Sequence, residues 1–144
     1  MCLPVLLCNM PCEYSSSNVR SEQKPRSLEQ ACGTAKIAHD YRGRDTLVLD
    51  MTNVTPLFDY FVVTTGTSRR QIRAISEEVD RVMKEHGSQK IGIEGYDIGS
   101  WVLQDYGDIV VHVFTPETRA LYDLEHLWAD ASHVDWQVDP DCRK

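Results

Sequence analysis

The chain contains 144 residues, of which 42% are hydrophobic and 26% are charged, a composition typical of a globular protein with a single domain. Its net charge is −7 at pH 7, and the excess of Asp and Glu lies in residues 45–144. Nucleic-acid phosphates are bound by clustered Lys and Arg, so this balance argues against direct DNA binding. It favours a basic protein partner, unless the charge only maintains solubility. No apolar run approaches the ~20 residues of a membrane span, and we expect a cytoplasmic protein that does not contact a membrane.

The cysteines do not form the pattern of a disulfide framework, because their number is odd and Cys2, Cys8 and Cys12 lie close together. Cys8 and Cys12 have no second pair at the spacing of zinc ligands, so we expect no metal and no other cofactor. Residues 1–26, which hold these three, are predicted to form a flexible tail because no periodic apolar face occurs there. Cys32 lies on the apolar face of a predicted helix and is expected to be a core residue.

Helix and strand signals begin directly after this tail. Ser27 is a candidate N-cap for the first helix, with Gln30 at the capping-box position, and the helix is expected to end near Gly43. Two strands are predicted next, over 46–51 and 60–65, the second of which is rich in β-branched and aromatic residues.

The second helix has signals at both ends. Ser68 is its candidate N-cap, Gln71 is at the capping-box position, and Gly87 marks its C-terminus. The next predicted elements are strands over 90–94, 100–104 and 108–114, of which the last two form a hairpin.

The last predicted helix begins with Thr115 as N-cap and Pro116 at its first position. Its apolar stripe is expected to pack into the core and consists of Ala120, Leu121, Leu124, Leu127, Trp128 and Ala131. The chain from Ser132 on is predicted to be irregular, with a C-terminal tail over 137–144. Single strands and a hairpin occur in one chain, so the predicted fold class is α/β. We expect one domain over 27–136, a mixed β-sheet with helices packed on it.

No arrangement of residues typical of an enzyme is found. Two-metal chemistry needs convergent carboxylates, and no Asp-x-Asp pair lies on a predicted strand. Only Asp50, Asp59 and Asp105 are candidate metal ligands for the enzymatic alternative, a diverged nucleotidyltransferase or phosphohydrolase. His112 is the lone histidine of its strand, and nothing nearby completes a nucleophile–base pair. We therefore predict a protein without enzymatic activity.

Aromatic residues of the hairpin and the last helix are candidates for binding. Trp128 fits the apolar stripe and is expected in the core, whereas Tyr106 lies in the turn and is expected to be exposed. Tyr122 is at the edge of the stripe. Exposed aromatic residues beside carboxylates are typical of a protein-binding surface.

Residues 28–136 resemble the ribosome-silencing factor family, also called the Iojap family. The matching motifs occur in order along most of the chain. They are Leu49-Asp50-Met51, Asp59-Tyr60-Phe61-Val62-Val63, Thr65-Gly66-Thr67-Ser68, Arg70-Gln71, Ala74-Ile75, Glu94-Gly95, Trp101-Val102-Leu103, Asp105-Tyr106-Gly107-Asp108, Val111-His112-Val113-Phe114, Arg119, Tyr122-Asp123-Leu124-Glu125 and Leu127-Trp128.

The resemblance implies a nucleotidyltransferase-like fold that lacks the catalytic carboxylates, and a role without catalysis. It implies binding to the large ribosomal subunit through ribosomal protein L-fourteen, which blocks joining of the small subunit and represses translation when nutrients are limiting. Organelle members assist assembly of the large subunit, so an assembly factor without repression is the alternative. Members of the family often dimerise, which makes a homodimer a further expectation.

The docking face implied by the resemblance lies on the last hairpin and helix. We expect Trp101 and Tyr106 to be its anchors, with carboxylates that meet Lys or Arg of the partner. Asp59, Gly66 and Trp128 are expected to hold the fold instead. The predicted partner-binding residues are Trp101, Leu103, Asp105, Tyr106, His112, Arg119, Tyr122 and Glu125.

Overall fold

The computed structural model describes residues 26–137, which form four helices and six strands. The tails predicted over 1–26 and 137–144 lie, apart from their innermost residues, outside the described residues. Within that range the helices are α1 (26–40), α2 (Arg69–Glu85), α3 (Pro116–Tyr122) and α4 (Leu124–Leu127). The strands are β1 (Arg44–Asp50), β2 (Tyr60–Thr65), β3 (Gly92–Glu94), β4 (Trp101–Asp105), β5 (Ile109–Phe114) and β6 (Ser132–Val134).

The strands form one mixed sheet in the order β3-β4-β5-β2-β1-β6. The central strands β2 and β5 run parallel, with Val62 opposite Val111, whereas all the other pairs are antiparallel. Both central strands are buried along their whole length. The predicted α/β class, with a mixed sheet and helices packed on it, is confirmed.

One face of the sheet is covered by the two long helices, α1 and α2. The buried side of α2 consists of Ile72, Ile75, Val79 and Met83, which pack with α1 and with alternate residues of the strands. Cys32 of α1 is fully buried there, as predicted. This first core fixes the orientation of the sheet relative to α1 and α2.

The opposite face is covered mainly by the short helices α3 and α4. Its core contains Phe61 and Phe114 from the central strands and Leu124 from α4. Trp101 and Leu103 of β4 pack against this second core but are only partly buried. The second face of the sheet is therefore less completely covered than the first.

The helix caps predicted at Ser68 and Thr115 are confirmed, since each side chain accepts a backbone N–H from the first turn of its helix. Gly87 follows α2 with a φ of +80°, as expected for a C-terminal glycine. The N-cap predicted at Ser27 is wrong, because Ser27 lies inside α1. Its buried hydroxyl donates instead to Asp108, at 3.4 Å.

The prediction of an irregular chain from Ser132 on is also wrong. Residues 132–134 form β6, which pairs with the end of β1. Trp136 is buried beside α1, and its indole N–H donates to the carbonyl of Thr46 at 2.9 Å. A three-residue strand carries too few residues for its alternation to be recognised in the sequence.

Candidate functional site

The helix predicted after Thr115 is divided in two at Asp123. This residue adopts the left-handed conformation, with φ 47° and ψ 58°, and a side chain that can hydrogen-bond locally tolerates that conformation. Its carboxylate lies 2.6 Å from the Nδ1 atom of His126. The break redirects the side chains after Asp123, so the predicted apolar stripe does not remain on one buried face.

Only two members of the predicted stripe are buried, Leu124 and Ala131. Leu121 is 78% exposed, Leu127 is 67% exposed, and Tyr122 between them is 48% exposed. Trp128, expected in the core, is partly buried against the second core. Large apolar side chains grouped in exposed positions mark interaction surfaces. We define the α3–α4 patch as Trp101, Leu103, Leu121, Tyr122 and Leu127.

Trp101 of this patch packs against other aromatic rings. The ring of Trp101 lies 4.4 Å from that of Tyr122 and 5.2 Å from that of Phe114, measured between centroids. The indole N–H of Trp101 donates to Nδ1 of His112 at 3.2 Å. Trp101 is therefore held by its neighbours while part of its surface stays accessible, which is the arrangement of a preorganised anchor.

His112 lies beneath the patch, not on it, because only 4% of its surface is exposed. Its ring packs against Phe61 and Phe114. Burial lowers the pKa of the imidazole to about 4, so His112 is neutral at pH 7. Because Nδ1 accepts the bond from Trp101, the proton is assigned to Nε2, which has no partner among the described residues. His112 therefore offers little surface to a partner and orients Trp101 through this bond, and its direct contact with a partner stays a prediction.

Tyr106 is also placed differently from the prediction. It is 8% exposed, and its hydroxyl donates to the carboxylate of Asp80 on α2 at 3.2 Å. Burial, followed by the charge of Asp80, raises the pKa of the phenol. Side chains alternate along a strand, so Trp101 and Leu103 face α3 and α4, whereas Gln104 faces α2. Tyr106 is two residues after Gln104 and therefore faces α2 as well. Tyr106 therefore belongs to the first core.

Arg119 and Glu125 bind each other instead of facing solvent. The guanidinium Nη2 of Arg119 lies 2.6 Å from Oε1 of Glu125, and its Nη1 donates to the hydroxyl of Thr65 at 2.7 Å. The side chain of Arg119 is only 13% exposed. This network ties α3 to α4 and both helices to the end of β2.

Asp105, also a predicted partner-binding residue, is half-buried at the end of β4. Its carboxylate accepts the backbone N–H of Gly107 at 2.8 Å and so stabilises the turn. Of the eight predicted residues, Trp101 and Tyr122 are in ring contact, Leu103 packs against the same core as Trp101, and Glu125 lies on α4. Leu121 and Leu127 were missed because their spacing fits a buried stripe.

The carboxylates that the sequence offers as metal ligands do not converge on one site within residues 26–137. Asp50 accepts the backbone N–H and the hydroxyl of Thr52, at 2.9 and 2.5 Å. Among residues 26–137 no group of three or more His, Cys, Asp and Glu side chains could hold a metal ion. Nor does any helix of that range have the length and apolar character needed to cross a bilayer.

The part of the chain that contains the α3–α4 patch is strongly negative. Residues 91–137 contain nine Asp and Glu but one basic residue, Arg119, which is already paired with Glu125. An apolar patch with exposed aromatic and carboxylate groups is complementary to an apolar surface flanked by Lys and Arg.

Comparisons with known proteins show the family to which this chain is similar. A family model described as "Ribosomal silencing factor during starvation" (RsfS) matches residues 24–143. The chain is 43% identical over 101 residues to the ribosomal silencing factor RsfS of Bacillus subtilis, which covers 70% of this chain and 86% of that protein. A crystal structure of a Chromobacterium violaceum protein superposes with a TM-score of 0.65 at 39% identity, covering 72% of this chain and 84% of that one. The mouse protein "Mitochondrial assembly of ribosomal large subunit protein 1" is 35% identical over 95 residues, 64% of this chain and 42% of that protein.

Proposed function

The chain belongs to the ribosomal silencing factor (RsfS) family, and from this premise we propose that it binds the large ribosomal subunit and prevents the small subunit from joining. The observation that carries this proposal is the α3–α4 patch, an exposed apolar surface on a strongly acidic half of the protein. Ribosomal protein L-fourteen is the proposed contact. The protein would act where bacterial ribosomes are found, in the cytoplasm.

The mechanism is steric occlusion and needs no chemical step. A folded domain attached to the intersubunit face of the large subunit occupies space that the small subunit requires, so the two binding events compete. Trp101 and Tyr122 supply rigid aromatic area, and Leu121 and Leu127 supply apolar area that loses water on docking. The surrounding carboxylates add attraction to a basic partner and thereby increase the association rate and orient the complex.

A role without catalysis is part of the proposal. The carboxylates of Asp105 and Asp50, at the ends of strands, stabilise turns. Among residues 26–137, carboxylates form no cluster that could bind a metal ion. A metal-dependent enzyme would show a rise in melting temperature on addition of Mg²⁺ or Mn²⁺, because a specific ligand stabilises the state that binds it. We expect no such rise.

A second candidate function uses the same surface. The mouse relative is named for assembly of the mitochondrial ribosomal large subunit, and this name favours an assembly factor that leaves subunit joining unaffected. Both functions require binding to the large subunit, so they differ only in whether the bound protein also prevents joining. A homodimer that buries the patch is a further alternative, and sedimentation of the purified protein alone tests it.

The experiment is co-sedimentation of the purified full chain with isolated large and small subunits, followed by a subunit-joining assay. The variant pair L121A/L127A removes apolar area from the patch. Ile98→Ala is the matched control, because Ile98 is 65% exposed in the segment next to α2, on the other side of the sheet.

Silencing predicts that the wild type and the control bind the large subunit and reduce joining, whereas L121A/L127A binds at least about tenfold more weakly, as expected for hot-spot residues. Binding with undiminished joining would favour the assembly role. If the wild type binds neither subunit, the proposed function is refuted.

A further inference from the structure

Four arginines are gathered at one end of the sheet, where β1 begins and β2 ends. One comes from the turn between α1 and β1, one is the first residue of β1, two come from the first turn of α2, and all four are exposed. The amide group of Gln71 joins these segments by donating to the carbonyls of Tyr41 and Arg42, each at 2.9 Å. We define the arginine end as Arg42, Arg44, Arg69 and Arg70.

These arginines differ from most other cations of the described chain in having no partner. Of the eleven Lys and Arg in residues 26–137, six bind a carboxylate or a carbonyl, as Arg81 binds Glu78 and Lys84 binds Asp80. The five without such a bond are Lys36, Arg42, Arg44, Arg69 and Arg70. Four of these five lie at the arginine end.

Nearby carboxylates do not neutralise this group. Asp40 at the end of α1 and Asp45 in β1 are exposed but form no ion pair with the four arginines, so an excess of positive charge remains. The N-terminus of α2 adds a partial positive charge at Arg69. In a protein with a net charge of −7, these exposed guanidinium groups form a local positive region that attracts an external anion.

The arginine end adjoins the α3–α4 patch. Arg119 joins them, because its guanidinium binds Glu125 of α4 and also the hydroxyl of Thr65 and the carbonyl of Arg44, at 2.7 and 3.4 Å. When the patch docks on a partner protein, the arginine end therefore faces the surface next to that protein. On a ribosomal subunit the surface between proteins is RNA, whose phosphates match the planar donor geometry of arginine.

We infer that the arginine end binds the phosphate backbone of ribosomal RNA next to the protein on which the α3–α4 patch docks. This inference rests on the proposed function, and it gives the interface two parts of opposite charge. The acidic, apolar part meets a basic protein, whereas the arginine end meets RNA. The negative net charge of the whole chain does not indicate this local positive region.

The test measures the affinity of the full chain for isolated large subunits as a function of KCl concentration. The variant R69Q/R70Q removes two charges from the arginine end. The control variant R81Q/K84Q removes two charges farther along the same helix, about 18 Å away at 1.5 Å per residue. Binding to isolated ribosomal protein L-fourteen, without RNA, is measured in parallel for all three proteins.

Each phosphate contact contributes ~0.7–0.9 to the slope of log Kd against log salt concentration, so loss of two contacts lowers the slope by about 1.5. Between about 50 and 200 mM KCl the affinity of the wild type should then fall about tenfold more than that of R69Q/R70Q. R81Q/K84Q should behave like the wild type, and all three should bind the isolated protein equally.

An unchanged salt slope for R69Q/R70Q would overturn the RNA contact while leaving the protein docking intact. Equal losses in R69Q/R70Q and R81Q/K84Q would also overturn it, because the effect would then be one of net charge alone. Failure of the wild type to bind any large subunit would refute the proposed function, and this inference with it.

Discussion

Replacing Tyr106 tests whether this residue is a surface anchor or a part of the core. Its ring lies in the first core and is 8% exposed. Truncation of a buried aromatic side chain to alanine removes apolar contacts and leaves a cavity, which typically costs ~3–5 kcal/mol. We expect Tyr106→Ala to lower the free energy of unfolding by about that amount.

Tyr106→Phe is the matched variant, because it keeps the ring and removes only the hydroxyl. The carboxylate of Asp80 would lose this donor but keep Lys84 at 3.0 Å and Lys90 at 3.3 Å. An internal hydrogen bond of this kind contributes ~0.5–1.5 kcal/mol, and the remaining partners of Asp80 place the expected loss at the lower end.

The assay is urea unfolding of both variants, followed by co-sedimentation of the folded proteins with large subunits. We expect Tyr106→Phe to bind large subunits like the wild type. The reasoning would be refuted if Tyr106→Ala kept its stability within ~1 kcal/mol and lost binding, which is the behaviour of an exposed hot spot.

Three further predictions concern stability. The pKa of His112 is about 4 in the folded protein and 6.5 ordinarily, so the unfolded chain binds a proton at a higher pH than the folded protein does. The free energy of unfolding should therefore fall by up to ~3 kcal/mol as the pH drops from about 6.5 to 4. The His112→Gln variant should not show this loss. Gly33→Ala should raise the free energy of unfolding by ~0.5–1 kcal/mol, because Gly33 is inside α1 and an added Cβ meets no atom within 4 Å; a loss in thermal unfolding would contradict this. Gly66→Ala should lower it by ~1–3 kcal/mol, because an added Cβ would lie 2.6 Å from Cγ1 of the buried Ile72, and an unchanged melting temperature would show that Ile72 can move aside.

The parts of the fold that sequence predicts well are those with strong local signals. Strand β2 is a run of β-branched and aromatic residues, and α2 has a capping serine and a terminal glycine around a regular apolar stripe. β6 was missed because three residues are too few for a periodic pattern, and its position depends on β1, which is distant in the chain.

The sequence predicts a docking face on the last hairpin and helix, where the α3–α4 patch lies, but it does not predict which side chains of that region are exposed. The apolar spacing after Thr115 predicts one helix with a buried stripe. The left-handed conformation of Asp123 breaks this helix and turns Leu127 outward, whereas Leu121 lies before the break and is exposed on α3. That conformation is compatible with Asp but not required by it. Tyr106 was misplaced for a related reason, since a turn residue is exposed or buried according to what packs beside it, here Asp80 of α2.

The strand β6 has a consequence for the behaviour of the protein in solution. It lies at the outer edge of the sheet beside β1, whose Val48 and Leu49 are fully buried. Without residues 132–134, the backbone N–H and C=O groups along that side of β1 would be unpaired next to apolar side chains, and such an edge recruits strands from other molecules. β6 is itself only three residues long and carries an exposed polar Ser and His, so it offers a new strand little to pair with. β6 thus covers the edge of β1, and its loss should appear first as aggregation during refolding.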